Sequence, residues 1–103
     1  MEFQWNVGNL KHIMEDYPDW GNSVEEVESV FSDLHFDVKP SRTEVDGEVR
    51  FRGTGVGLSG IVRSVIFVFR DNQIRPISCW PSNQRARKRY YESIRQKEDG
   101  HQE

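Results

Sequence analysis

In the first third of the chain apolar residues recur every three or four positions. Beyond residue 35 they recur every second position, and this switch governs what the chain can fold into. Val7, Leu10, Met14 and Tyr17 are spaced three, four and three apart, with Asn6 ahead of them as a helix cap. Pro18 stops that helix, and PDWGN is a loop by composition. Ser23 followed three residues later by Glu26 matches a capping box, and Val24, Val27, Val30, Phe31 and Leu34 then predict a second helix over about 23–33. Phe3 and Trp5 alternate with polar residues, which marks a brief strand ahead of the first helix.

Strand patterning takes over from there. Phe36 and Val38 alternate with His35, Asp37 and Lys39, and Val49 and Phe51 alternate with Glu48, Arg50 and Arg52. Between them, Pro40 to Gly47 reads as a connection ending in an Asp46-Gly47 turn. The run IVRSVIFVF, residues 61–69, is nearly continuous apolar with five β-branched members, which predicts a central strand covered on part of both faces. Asp71 and Asn72 turn the chain into a last strand, Ile74 to Trp80, in which Pro76 points to a sheet edge or a bulge. From Pro81 onward SNQRARKRYYESIRQK predicts a helix capped by Ser82 or Asn83, and EDGHQE should be loose. The order is strand, helix, helix, four strands, helix. That is an α+β fold: an antiparallel sheet of about four to five strands, two N-terminal helices and one C-terminal helix.

With 103 residues the chain has room for one domain, expected over 1–97, with 98–103 as a disordered tail. Its 35% apolar content suffices for a core. The longest apolar run, Val65 to Phe69, is far short of the roughly 20 residues of a membrane span. MEFQWN lacks a basic segment followed by an apolar one, so no signal peptide is expected. Cys79 is the single cysteine, so no disulfide can form within the chain, and a reducing, cytoplasmic setting is expected.

Charge is strongly segregated. Residues 15–48 carry eleven acids and two bases, whereas 49–84 carry five arginines and one acid, and 85–97 six bases and one acid. A basic half can present a local positive face to phosphates or to an acidic protein, or can pair with the acidic half. In strands, side chains two apart share a face, so Glu48, Arg50 and Arg52 go together, Arg63 goes with Ile61, Val65 and Phe67, and Arg75 goes with Ile77 and Cys79. Arginines on an uncovered face would grip phosphate oxygens bidentately; the alternative is that each pairs with an acid. On the last helix Arg85, Arg87, Lys88 and Arg89 precede Tyr90 and Tyr91, a pattern that fits RNA binding by charge and stacking, or a solvated helix docked by its tyrosines.

Other motifs carry less. Gly55, Gly57 and Gly60 of GTGVGLSG match the spacing of a dinucleotide fingerprint, but a β-forming run follows where that motif needs a helix, so a hairpin loop is expected. His12, His35 and His101 are scattered, and one cysteine cannot complete a tetrahedral site, so no metal site and no cofactor is expected. No nucleophile-elbow signature accompanies the serines.

FQWNVGNLKHI, the EEVESVF helix, RFRGTG before a glycine-containing loop, and DNQIRPIS followed by a basic helix ending in RKRYYE occur in an order and spacing, over residues 3–92, that resembles the BrnT family. These are bacterial toxins with a RelE-like fold. The resemblance implies a metal-independent endoribonuclease that cuts messenger RNA when released from its antitoxin, BrnA in the family, as a homodimer or a heterotetramer with that antitoxin. In RelE-like enzymes the RNA's own 2′-hydroxyl attacks the adjacent phosphate, so the protein supplies a base, an acid and cations. Carried onto this sequence, Arg50 and Arg75 take phosphate-holding or transition-state roles, and His12 is the histidine able to exchange a proton near neutral pH. Arg52, Arg63, Trp80, Arg85, Lys88 and Arg89 are the expected RNA contacts.

The sequence departs from the family at two places. The Lys-His pair that ends the family's first helix aligns with Glu15-Asp16, or with Lys11-His12 if the helix is a turn shorter. The family's Ser-Ala-Arg reads Ser78-Cys79-Trp80, with tryptophan in place of an arginine. One lost transition-state cation can reduce a rate about a hundredfold. The alternative is therefore a catalytically degenerate fold of the same kind that binds protein or RNA, or a stand-alone protein without antitoxin.

Overall fold

The computed structural model describes residues 1–45 and 47–100, with the backbone alone at 42–45, 99 and 100. Asn6 caps a short helix, α1 (Val7–Leu10), through a reciprocal box. Its side chain accepts from the Gly8 and Asn9 amides, while the Asn9 side chain accepts from the Asn6 amide. The helix widens into a π turn over Lys11–Glu15, and a 3-10 turn over Pro18–Trp20 follows. The second helix, α2, is Val24–Phe31. Ser23 Oγ accepts from the Glu26 amide as expected, but the Glu26 carboxylate turns inward rather than back to the cap, so only half of the predicted box forms.

Four strands, β1 (Asp37–Val45), β2 (Glu48–Val56), β3 (Val62–Arg70) and β4 (Gln73–Pro81), form an antiparallel sheet in chain order. Phe3 adds an isolated parallel bridge to Ile74 at the β4 edge. Two boundaries differ from the sequence reading. β1 continues through residues 40–45, with a register irregularity between Pro40 and Glu44; Asp46 of the expected turn lies outside the described residues. β2 takes in the first half of GTGVGLSG, and the hairpin loop begins only at Gly57. The β3–β4 turn has positive φ at both Asp71 and Asn72 (55° and 61°), the backbone of a tight two-residue hairpin. Pro76 sits both on an outer strand and beside a bulge: Ile66 pairs with Ser78 and Phe67 with Pro76, leaving Ile77 as the extra residue.

One sheet face holds the core. Val65, Phe67, Ile74 and Cys79 meet Ile13, Val27 and Val30, and the rings of Phe3, Phe31, Phe36 and Phe51 close over them. The helices approach β2 closely enough to require glycine. A Cβ on Gly53 would lie 2.1 Å from the Phe36 ring, and one on Gly55 2.8 Å from the Val30 carbonyl. The C-terminal helix, α3 (Gln84–Gly100), is capped by Asn83, whose side chain accepts from the Ala86 amide at 2.9 Å. It runs past its expected end at Lys97, so of the expected tail only 101–103 remain, and these lie outside the described residues. α3 packs against the face away from α2: Ala86 and Tyr90 are buried, and Ser82 Oγ is 2.7 Å from Ser64 Oγ. Among the described residues no helix is long and apolar enough to cross a membrane.

Candidate nucleic-acid interface

The register decides which face each arginine occupies. On β2, Arg50, Arg52 and Thr54 alternate with Phe51, Gly53 and Gly55, which face α2, so the arginines point away from the helical layer. On β4, counting by twos from Cys79 puts Arg75 on the core face, but the bulge at Ile77 reverses this. Cys79 pairs with Val65 of the core, while Arg75 pairs with Val68, three residues along β3 and on the opposite face. Arg50, Arg52 and Arg75 therefore share one face. Extending the β2–β3 register by one residue sets Arg50 and Arg75 on either side of Val68, which is fully buried. Trp80, opposite Ser64, is on the same face, and the Arg52 guanidinium lies 5.5 Å from its ring centroid.

Arg63 does not belong to this group, and its expected RNA contact is corrected. Because it alternates with Val65 and Phe67 it enters the helical side, where it is 1% exposed. Its Nε donates to Glu26 Oε2 at 2.8 Å, and its Nη1 donates to the Trp20 carbonyl at 2.8 Å and Asn22 Oδ1 at 2.7 Å. Glu26 also accepts from the Ser59 hydroxyl (2.6 Å) and amide (3.0 Å). Burial pushes the Glu26 carboxyl upward, but the Ser59 and Arg63 hydrogen bonds outweigh it and hold the group below its usual range. Gly57 leaves room for this carboxylate, since a Cβ there would meet Glu26 Oε2 at 2.4 Å. Nearby, burial pushes the Cys79 thiol up to about 12, so it stays protonated and is no nucleophile at neutral pH.

The arginines on the other face are differently placed. Arg75 Nη2 donates to Asn6 Oδ1 at 3.1 Å, but its Nη1, and Nε of Arg50, are shielded from solvent and have no acceptor among the described residues. Glu48 accepts from Arg70 Nη2 at 2.7 Å and Nε at 3.1 Å. That hydrogen bond holds the Glu48 carboxyl below its usual value, and the charges of Arg50 and Arg75 add to the effect. The carboxylate beside the row is thus engaged with a third arginine. A shielded donor without an acceptor costs about 1–3 kcal/mol, and more when charged. A shielded guanidinium donor of this kind is one that an oxyanion such as a phosphate can take up.

The remaining expected residues fall in three places. His12, of the expected catalytic trio, has its contacts elsewhere. It follows α1 in the helical layer, next to buried Ile13, with Nδ1 3.6 Å from Asp16 Oδ2 and its ring edge-on to Tyr17 at 5.5 Å. The sheet separates it from Arg50 and Arg52. Lys11 is bound to the same aspartate, at 2.7 Å, so Lys11-His12 forms a local cluster with Asp16. On α3, Arg85 is exposed, Lys88 lies 4.0 Å from Glu92, and Arg89 borders a cleft against β1 and β2.

The sequence reading missed Asp33, whose Oδ2 accepts from the Tyr90 hydroxyl and the Val56 amide while Oδ1 accepts from the His35 amide. Burial would raise this carboxyl, but the Tyr90 and amide hydrogen bonds outweigh it and hold the carboxyl below its usual range. Tyr90 four residues after Ala86 was the available signal for how α3 docks. Among the described residues no group of three His, Cys, Asp or Glu side chains is placed to hold a metal ion. Scanned against protein-family models the chain matches none, and no curated protein matches it.

Proposed function

We propose that the protein is a BrnT-like toxin, RelE-like in fold, which grips messenger RNA in the cytoplasm on its arginine face and is neutralised there by a BrnA-like antitoxin. The observation that carries the reading is the Arg50–Arg75 row, two guanidiniums with shielded donors that lack acceptors among the described residues, on the sheet face away from the α1–α2 core. Bound there, a phosphodiester would take those donors. The reaction is metal-independent transphosphorylation: the 2′-oxygen forms a bond to phosphorus as it gives up its proton, the bond to the 5′-oxygen breaks, and that oxygen takes a proton. Arg50 and Arg75 stabilise the charge that builds on the non-bridging oxygens.

A second reading, a fold of this kind that binds RNA without cutting it, is favoured by two specific placements. His12 is engaged with Asp16 and Tyr17 in the helical layer, and Trp80 stands where the family has an arginine. Incubating purified protein with mixed-sequence RNA in EDTA separates the two. Cleavage that falls about a hundredfold in Arg50→Ala and in Arg75→Ala supports the nuclease. Binding that weakens in the same variants, without cleavage by the wild type, supports the binding protein. Growth arrest on expression is expected only of the nuclease.

A further inference from the structure

Between α3 and the β1–β2 edge lies a cleft of about 460 Å³. Lys39, Arg52 and Arg89 line it, together with Asp37, Thr54 and Tyr90. All three cations are exposed. Lys39 and Arg52 are direct cross-strand partners, an arrangement in which like charges repel, and among the described residues that line the cleft Asp37 is the lone carboxylate. Arg89 reaches the cleft because Ala86 and Tyr90, on the same side of α3, are buried against the sheet; Lys88 is turned toward Glu92 instead.

Arg52 links this cleft to the arginine row. It follows Arg50 by two residues on the same face of β2, about 7 Å along the strand, comparable to one nucleotide of extended backbone, and its guanidinium lies over Trp80. We propose that the cleft is a second phosphate subsite, and that one unpaired RNA strand runs from the Arg50–Arg75 row, past Trp80, into the space between Arg52, Lys39 and Arg89. The inference rests on the RNA reading above and adds to it a substrate class, single-stranded RNA spanning several consecutive phosphates. The Trp80 ring is half-buried and lies against the guanidinium of Arg52, a residue of the cleft, where it can stack on an unpaired base. The paired bases of a duplex are not available for that contact.

The test is the salt dependence of binding to a short unstructured RNA oligonucleotide and to the same sequence as a duplex. For single strands each lost phosphate contact lowers the slope of log affinity against log salt by about 0.7. The Lys39→Gln/Arg89→Gln double variant, altered at two exposed positions and checked by circular dichroism, is expected to bind at least about tenfold more weakly, with a slope reduced by about 1.4. The wild type is expected to prefer the single strand. If the double variant matches wild type while Arg50→Ala and Arg75→Ala bind weakly, the subsite is wrong and the arginine row stands. Duplex bound as tightly as single strand overturns the proposed path. Absence of binding by the wild type overturns both this inference and the reading on which it rests.

Discussion

Arg63 and Arg75 lie on neighbouring strands, yet they are opposites. Arg63 is closed into the helical side by Glu26, Asn22 and the Trp20 carbonyl, with Ser59 and Gly57 completing the surroundings of its partner carboxylate. Arg75 and Arg50, on the strands either side of β3, occupy the other face, each with a shielded donor that no acceptor among the described residues meets. A buried charge whose donors are matched internally ties elements together: here α2, the loop at Trp20–Asn22, the β2–β3 hairpin and β3. A shielded donor left unmatched is a cost to the fold and stands ready for a ligand. Partnering thus separates the structural arginine from those proposed to bind RNA where residue type alone does not.

The largest effect should come from breaking the matched side. Arg63→Met leaves Glu26 buried without its cation and is expected to destabilise by about 3–5 kcal/mol, a fall of more than about 10 °C in Tm. Replacing both partners, Arg63→Met with Glu26→Leu, should recover much of that loss in urea unfolding. Gly57→Ala disturbs the same network without removing charge, because the new methyl meets Glu26 Oε2, and a loss of about 2–3 kcal/mol is expected.

Smaller still is Tyr90→Phe, which deletes the hydroxyl on Asp33 at a cost of about 1.5 kcal/mol. Its signature is in the pH dependence. Asp33 and Glu26 are both held below their usual values of 3.8 and 4.5, so the unfolded chain takes up their protons first. The stability they contribute is complete above the ordinary carboxylate range and is lost as pH falls through their folded values. The acid decline should be shallower in Tyr90→Phe, measured by unfolding midpoints across that range. Last, Arg50→Ala and Arg75→Ala are expected to shift stability by less than about 1 kcal/mol. A loss as large as that of Arg63→Met would erase the contrast between the faces.

Much of this was legible in the sequence. Apolar periods placed both N-terminal helices and the four strands, and Asn6, Asn83 and the Asp71-Asn72 turn act as their side chains require. Arg63 shares its face with Val65 and Phe67, but β3 is apolar on both faces, so the pattern did not separate a core-facing arginine from an RNA contact; its partner was hidden too, because Glu26 read as a capping residue and its inward turn depends on a loop 33 residues away. Arg75 was unreadable for a different reason. A single extra residue at Ile77 reverses the face of everything before it, and Pro76 signals a bulge without fixing its position. His12 was readable as a histidine of the first helix, but its contacts with Asp16 and Tyr17 were not.

The most direct test of the claim that the unmatched arginines form the RNA site is to measure RNA binding and cleavage in EDTA beside the unfolding free energy, for wild type, Arg50→Ala and Arg75→Ala in parallel. Loss of RNA binding, and of any cleavage, by about a hundredfold with unfolding nearly unchanged is the expected result. Variants that handle RNA as the wild type does while remaining folded would contradict it.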